Sequence, residues 1–252
     1  MKAIDFWLSE VELQTIYSAD YWNNIEEEKK KEWWIENGDY DRCLRYLDAS
    51  KLMLEYQEAE GCIKEMRREN LRVLDLAAGI GWTSALLSKL DCVADVHAVE
   101  ISRHRLELLF PHAMSMLDAR DNKIQRHLGS FYDLRFSEQS IDVIFLAQAF
   151  HHADRPLHLL VECDRVLNPG GRMLLIGEPQ IRTRQIVKRM LGTFLKKRRM
   201  VADFYELFPT DRESGDHYYK LSDYYFMFRS MGYEPTHKVL PSGNIIYIAD
   251  KR

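Results

Sequence analysis

From Leu71 onward, the chain alternates short apolar runs with longer stretches of helical periodicity, and this rhythm constrains the fold more than any other feature of the sequence. Four segments have the length and content of buried strands, and a fifth, NKIQRHLG, resembles a weaker strand. The four are LRVLDLA, CVADVHAVE, SIDVIFLAQ and GRMLLIGEP. The stretches at 82–90, 103–117 and 157–167 fit helices. This alternation predicts an α/β fold with a doubly wound, mostly parallel sheet.

Residues 1–70 precede this rhythm and are polar, aromatic and helical in pattern, so we expect a helical N-terminal cap ahead of a domain at 71–252. The run EEEKKK at 26–31 is typical of a solvated helix face. The cap also contains four large aromatic side chains, Tyr21, Trp22, Trp33 and Trp34. Rings of this size either pack the cap onto the main domain or line a ligand pocket.

The alternation of strands and helices ends after Glu178, where we expect an insertion at about 180–220. Its basic stretch, 182–199, is predicted to be a solvated helix face, or alternatively to attract an anionic acceptor molecule. Apolar residues between the charges leave contact with a membrane surface as a less favoured option. Two strands joined across 241–243 close the chain and predict an antiparallel pair.

Composition narrows the class of protein. A length of 252 residues suits one large α/β domain with additions, and a net charge of −4 disfavours a dominant nucleic-acid-binding role. The four cysteines contain no C-x-x-C pair, which indicates reduced thiols in a cytoplasmic protein and neither a metal site nor a disulfide framework. Acidic residues near the N-terminus and the absence of a long apolar run predict neither secretion nor a membrane span.

The stretch VLDLAAGIGW places an acid, Asp75, inside an apolar strand and follows it with the small residues Ala77, Gly79 and Gly81. In an open α/β sheet, ligands bind beyond the carboxyl ends of the strands, and small residues let a ligand approach the backbone. A dinucleotide fingerprint requires a third glycine where Ser84 stands and usually an apolar residue at the position of Asp75. The stretch therefore disfavours a nicotinamide-dependent oxidoreductase.

The pattern D-x-x-x-G-x-G in this stretch resembles the nucleoside-binding loop of class I S-adenosylmethionine-dependent methyltransferases, and the resemblance runs from about 71 to 178. It implies a Rossmann-like sheet of seven strands, the last one antiparallel, and S-adenosylmethionine as the cofactor. In this family the loop packs against the methionine part of the cofactor, which implies such contacts for Ala77, Gly79 and Gly81. Glycine is more usual where Ala77 stands. Asp75 would hold the methionine ammonium group, often through water.

Two further segments extend the resemblance. Glu100 closes the second strand, where an acid can accept hydrogen bonds from both ribose hydroxyls, and Ile101 would lie beside the adenine. In LGSFYDLRF, Ser130 and Phe131 occupy the places where many relatives have aspartate and alanine. Ser130 can still bond the adenine, more weakly than an acid, and Phe131 would pack against the ring.

The segments SIDVIFLAQAFHHADRP and RVLNPGGRMLLI complete the resemblance, since the family commonly shows F-D-x-V with H-H and then L-x-P-G-G. Ala147 and Gln148 end the fourth strand, where their backbone would touch the cofactor. Residues 168–171 are expected to form a structural turn between helix and strand, at the edge of the sheet opposite the ligand.

Three histidines are candidates for a general base, which a hydroxyl acceptor needs and an amine acceptor does not. His151 and His152 follow the carboxyl end of the fourth strand, and capping or packing is the alternative role for both. His217 lies beside an acid and two tyrosines in ESGDHYYKLSDYY, where this family often builds substrate contacts. We rank His217 first, although a simple helix-entry loop is an equal alternative.

Together these features predict a methyltransferase that acts on a small-molecule acceptor, with an anionic acceptor as one option. The supply of histidine and tyrosine favours oxygen as the acceptor atom; nitrogen, carbon, or a non-catalytic cofactor-binding protein are the alternatives. Methyltransferases of nucleic-acid bases or amides would show N/D-P-P-Y after the fourth strand, where this chain has AQAF. The sequence carries no signal for an oligomeric state.

Overall fold

The computed structural model describes residues 1–16, 19–179, 181, 183–211 and 214–252. Its strands are, in chain order, β1 (Asp5–Phe6), β2 (Leu71–Leu76), β3 (Val93–Glu100), β4 (Ile124–Leu128), β5 (Ile141–Ala147), β6 (Leu167–Ile176), β7 (Thr236–Val239) and β8 (Ile245–Asp250). They form one sheet in the order β1-β4-β3-β2-β5-β6-β8-β7. All paired neighbours are parallel except those of β8, which runs antiparallel to both β6 and β7.

This topology confirms the predicted Rossmann-like sheet with an antiparallel last strand. The expected strand count of seven was wrong by one, because Asp5–Phe6 pairs with the edge strand β4. The backbone N–H of Trp7 continues this contact by donating to the carbonyl of Leu128 at 3.0 Å. A two-residue strand is too short for alternation to mark it in the sequence.

The helices divide into three groups. Those of the first 70 residues are α1 (Glu10–Thr15), α2 (Ala19–Trp22), α3 (Ile25–Glu28), α4 (Asp41–Ala49) and α5 (Leu52–Lys64). Those between the parallel strands are α6 (Trp82–Ser88), α7 (Phe110–Met116) and α8 (Pro156–Val166), and a π-helical turn, Arg105–Leu109, leads into α7. Those after β6 are α9 (Thr183–Lys197), α10 (Phe204–Leu207) and α11 (Leu221–Ser230). The three helices predicted between strands are thus confirmed.

Successive residues of β2 enter different hydrophobic clusters, as the pleat of a strand requires. Val73 belongs to the cluster that contains α5, α6 and the cap residue Leu47. Leu74 belongs to the cluster that contains α8 and α11. The sheet is therefore covered on both faces, as predicted. The cap shares one of these cores, and the proposed division at residue 70 stays a prediction.

Residues 168–171 differ from the expected turn, because they lie within the span of β6 itself. The register shifts there: Ile141 pairs with Leu167, but Val143 pairs with Arg172. The four residues form an irregularity at the beginning of the strand. They lie, as expected, at the edge opposite the carboxyl ends of the parallel strands.

No helix in the described part of the chain is both long enough and apolar enough to cross a membrane.

Candidate active site

The main cavity, of about 790 Å³, lies at the carboxyl ends of β2, β3, β4 and β5 and extends beneath the cap. Ten of the thirteen predicted site residues line it: Ala77, Gly79, Glu100, Ile101, Ser130, Phe131, Ala147, Gln148, His151 and His152. The other three, Asp75, Gly81 and His217, are not among its lining residues. The structure thus places most of the predicted site residues around one cavity.

The loop after β2 has a left-handed backbone at three positions. The φ angles are +51° at Ala77, +57° at Gly79 and +86° at Gly81. Ala77 therefore occupies the conformation that favours the glycine usual in the family, at a cost of roughly 1–2 kcal/mol. A Cβ at Gly81 would collide with the ring of Phe110, so this glycine permits close packing of the loop behind the cavity.

Asp75 is fully buried behind this loop. Its Oδ2 accepts hydrogen bonds from Thr83 Oγ1, at 2.7 Å, and from Ser84 Oγ, so the acid fixes the first turn of α6. Its Oδ1 is buried and has no hydrogen-bond partner within the described residues. Burial raises the pKa of this carboxyl group to about 6. A contact between Asp75 and a cofactor ammonium group stays a prediction.

Glu100 ends β3 and lines the main cavity. Its Oε2 accepts from the backbone N–H of Gly79 at 2.7 Å, and its Oε1 accepts from the N–H groups of Ile101 and Ser102, both at 2.8 Å. The carboxylate therefore ties the loop after β2 to the loop after β3. Since a carboxylate offers about four acceptor positions, one remains on Oε2 for a hydroxyl donor.

Arg105 is a site residue that the sequence analysis missed. It lines the cavity with Nη1 3.9 Å from Glu100 Oε2, and its guanidinium lies 4.8 Å from the ring centroid of Trp22. Its principal ion pair is with Glu28 of the cap, which also contacts His104. Glu28 is only 3% exposed, so the prediction of a solvated face was wrong for this member of the charge run.

His151 is locked into a buried network. Its Nδ1 lies 3.1 Å from Oε2 of Glu178, and that carboxylate also accepts from the hydroxyl of Tyr224 at 2.8 Å. Glu178 further accepts from the backbone N–H groups of Ala149, Phe150 and His151. Burial alone would lower the pKa of His151, but the charge of Glu178 raises it above the ordinary value. His151 therefore favours the protonated form.

The pKa of His152 is shifted in the direction opposite to that of His151. Its Nδ1 lies 2.9 Å from Oδ1 of Asp216, a residue of the insertion that the sequence analysis did not select. Burial lowers the pKa of His152, and Asp216 offsets this only in part. Burial alone would raise the pKa of Asp216, but His152 holds it at about 2. The pair therefore favours a neutral imidazole beside an ionised carboxylate.

His217, ranked first by sequence, stands outside the main cavity. Its backbone N–H donates to the carbonyl of His151 at 2.8 Å, and its ring stacks on Tyr219 with centroids 5.7 Å apart. Its Nδ1 lies 3.1 Å from Thr210 Oγ1. The geometry favours His152 over His217 as the base, and it gives His217 a role in holding the insertion against the loop after β5.

Residues 74–175 match the model of a methyltransferase domain family. The chain is 33% identical over 102 residues to a malonyl-[acyl-carrier protein] O-methyltransferase of Methylococcus capsulatus, covering 40% of this chain and 35% of that one. It is 26% identical over 130 residues to a demethylmenaquinone methyltransferase of Staphylococcus aureus, covering 51% and 52%. The chain thus spans about a third to a half of the length of these relatives.

A solved S-adenosylmethionine-dependent methyltransferase from Aquifex aeolicus superposes with a TM-score of 0.55 at 17% identity. The superposition covers 81% of this chain and 98% of that one, and it shows a common fold. Residues 74–175 thus match a methyltransferase domain, and the chain has the fold of this S-adenosylmethionine-dependent methyltransferase. The fold predicted from the sequence is therefore confirmed, and the matched methyltransferase domain agrees with the predicted family and cofactor.

The cofactor end of the main cavity fits S-adenosylmethionine on three counts. Glu100 keeps one acceptor position for a ribose hydroxyl, as described above. Gly79 leaves open space on the cavity side, since a Cβ there would meet only Arg105, at 3.9 Å. The unpartnered Oδ1 of Asp75 is a buried acceptor of the kind that a cation or a bridging water satisfies. Which of these groups touches the cofactor stays a prediction.

The sequence predicted no metal site. Within the described residues, however, His151, His152 and Asp216 each offer one ligand atom, and these atoms lie within 4.8 Å of one another. The same three residues thus serve either as an acid–base set or as the ligands of one ion.

The described part of the basic stretch lies away from the main cavity. No described residue of α9 lines that cavity, and Arg182 lies outside the described residues. Arg184 lines a second cavity of about 330 Å³, beside Glu55 and Glu178. The described residues of α9 include no buried one, which favours the prediction of a solvated face.

Proposed function

We propose that this chain transfers the methyl group of S-adenosylmethionine to an oxygen atom of a small-molecule acceptor. One observation carries the proposal: a single cavity joins Gly79 and Glu100, at the cofactor end, to His152 at the other end. The cap covers this space, and enclosure of this kind suits a small molecule better than a nucleic acid. The four free cysteines favour a reducing compartment, so we place the activity in the cytoplasm.

S-adenosylmethionine supplies a methyl group activated by its sulfonium sulfur, so the protein has mainly to align an acceptor in line with that bond and exclude water. The loop after β2 and Glu100 orient the nucleoside end. Trp22 lies 4.7 Å from the ring of His152 and shields that histidine from solvent. The chain thus positions the reacting groups and keeps water away from them.

His152 takes the proton of the acceptor hydroxyl. The charge of Asp216, 2.9 Å from Nδ1 but not aligned for a hydrogen bond, favours the tautomer that carries its proton on Nδ1, which leaves the lone pair of Nε2 for the acceptor. As the new oxygen–carbon bond forms and the sulfur–carbon bond breaks, the electron pair of the broken bond stays on sulfur and the hydroxyl proton goes to Nε2. His151 is less suited to this role, because Glu178 favours its charged form.

The two named relatives carry different acceptors in their names, a malonyl acyl-carrier protein and demethylmenaquinone, so neither name transfers to this chain. Oxygen as the acceptor atom rests instead on the neutral His152, since an amine acceptor needs no base.

Incubation with methyl-labelled S-adenosylmethionine and a panel of phenols, alcohols, amines and activated-methylene compounds tests the proposal. We expect release of S-adenosylhomocysteine and label on an oxygen atom of at least one hydroxyl compound. Label on nitrogen or carbon would refute O-methylation. Saturable cofactor binding without product release from any member would favour a non-catalytic cofactor-binding protein.

A further inference from the structure

The cap carries one cation that differs from its neighbours in the same charge run. Lys29 and Lys30 are paired with Glu26 and Glu27 at 2.7 and 2.6 Å. Lys31 is half-buried and lines the main cavity. Within the described residues, no carboxylate oxygen lies within 4 Å of its Nζ. Its hydrogen-bond partner is the hydroxyl of Tyr21, at 3.3 Å.

The other cationic side chains of the cavity have carboxylates beside them. Arg105 is paired with Glu28, and Arg155 lies 3.8 Å from Asp154. Lys31 is therefore, among the described lining residues, the lysine or arginine that forms no ion pair within 4 Å, and its charge acts at longer range on Glu27. Lysine is a compact point charge, and a single unbalanced positive charge matches a single carboxylate better than a dianionic phosphate.

Aromatic side chains connect Lys31 to His152 along one wall of the cavity. Its Nζ lies 5.7 Å from the ring centroid of Tyr21, which packs edge-on against Trp22 at 4.8 Å. Trp22 in turn meets His152 at 4.7 Å. A flat molecule along this wall would have one end at Lys31 and the other at the imidazole.

A second wall leads from Lys31 to the end of β5. Its Nζ lies 6.0 Å from the ring of Trp33, which packs against Tyr46 at 5.5 Å. The hydroxyl of Tyr46 donates to Oε1 of Gln148 at 3.0 Å. All these side chains line the cavity, so the space between the two walls is flanked by aromatic rings and has a lysine at one end.

We propose that Lys31 binds a carboxylate of the methyl acceptor, whose flat, aromatic body lies between these walls with its hydroxyl at His152. This inference rests on the proposed function and names its substrate class: hydroxylated aromatic acids. The sequence suggested that the basic stretch at 182–199 attracts an anionic acceptor. The proposal assigns this role to Lys31 of the cap instead. Ring stacking supplies affinity, and Lys31 selects the acid over its neutral analogue.

The methionine part of the cofactor also carries a carboxylate, so the test needs one arm for each source. The first arm measures S-adenosylhomocysteine affinity by calorimetry in wild type, Lys31→Met and Lys30→Met. We expect equal affinities in all three. A selective loss in Lys31→Met would make Lys31 a cofactor ligand and overturn the inference. Absence of binding in wild type would instead refute the proposed function.

The second arm measures binding of 4-hydroxybenzoate and 4-hydroxycinnamate, and of the corresponding primary amides, with S-adenosylhomocysteine saturating. In wild type we expect at least one acid to bind about tenfold more tightly than its amide, the size expected for one charge-assisted contact. Lys31→Met should remove this preference, whereas Lys30→Met, with its exposed lysine, should keep it. No preference for either acid in wild type, or a preference that survives Lys31→Met, would overturn the inference.

Discussion

The two ends of the main cavity are built in different ways. At the cofactor end, Gly79 and Ser130 follow strands of the parallel sheet, Glu100 ends one, and backbone N–H groups fix the carboxylate of Glu100. At the acceptor end, Trp22 and Lys31 come from the cap and Asp216 comes from the insertion. Sheet topology determines the first end, whereas side-chain contacts between distant segments determine the second.

This difference predicts how substitutions affect binding and folding at each end of the cavity. The cofactor end has the sheet behind it, so a substitution there should change binding more than folding. The acceptor end depends on the docking of the cap, and its central polar contact is the buried cluster of Glu28, His104 and Arg105. A substitution in that cluster should change folding first.

The largest expected effect is on the cap. Glu28→Ala leaves Arg105 and His104 buried without their carboxylate, so the free energy of unfolding should fall by about 3–5 kcal/mol. Urea unfolding followed by tryptophan fluorescence measures it. Glu26→Ala is the matched control, since that exposed side chain pairs with the exposed Lys29 and its loss should cost less than about 1 kcal/mol. Equal losses in the two variants would mean that the cluster does not hold the cap.

At the cofactor end, Glu100→Gln should weaken binding of S-adenosylhomocysteine by about 10- to 100-fold, the value of one hydrogen bond to a charged group. The amide also turns a donor toward the N–H groups that the carboxylate now satisfies. Calorimetry measures the affinity, and Glu107→Gln, on the exposed side of the same chain segment, serves as control. An unchanged affinity would remove Glu100 from the cofactor site.

Much of the cofactor end could be predicted from sequence, because strand ends and glycine-bearing turns leave local patterns. Even there, the pattern did not distinguish lining from supporting residues: Gly81 packs on Phe110, and Asp75 holds Thr83 and Ser84. Both were predicted as direct contacts, yet neither lines the cavity.

The acceptor end left no comparable pattern. Glu28 and Lys31 stand in one charged run, EEEKKK, and only the packing of the cap buries the first and turns the second into the cavity. Asp216 meets His152 because the insertion folds back over the loop after β5. His217 was selected because acid, base and phenol stand together in a segment where the resembled family often builds substrate contacts. Adjacency in sequence did not bring its ring into the cavity.

The pH dependence of kcat/KM distinguishes His152 from His217 as the base. Transfer requires a neutral base, and the pKa of His152 is lowered from 6.5, so kcat/KM should rise with pH through a limb below 6.5 and then level off. Asp216 raises this pKa. Asp216→Asn should therefore move the limb to lower pH and reduce the plateau by roughly tenfold or more.

The pH profile of His217→Gln is the control for this pair. Its limb and plateau should match wild type, because the His217 ring lies outside the cavity. A lost limb in this variant, with a wild-type profile for Asp216→Asn, would return the role of base to His217.

The smallest expected effect concerns the two positively charged regions. Lys188→Gln with Lys196→Gln removes two exposed charges from α9, which does not line the main cavity, so KM for an acidic acceptor should change by less than about twofold. Salt screens exposed charges over about 10 Å, so any residual effect should vanish at high ionic strength. Steady-state kinetics at low and high salt measures both. A large, salt-sensitive rise in KM would mean that the insertion attracts the acceptor, whereas loss of acid selectivity in Lys31→Met alone assigns recognition to the cap.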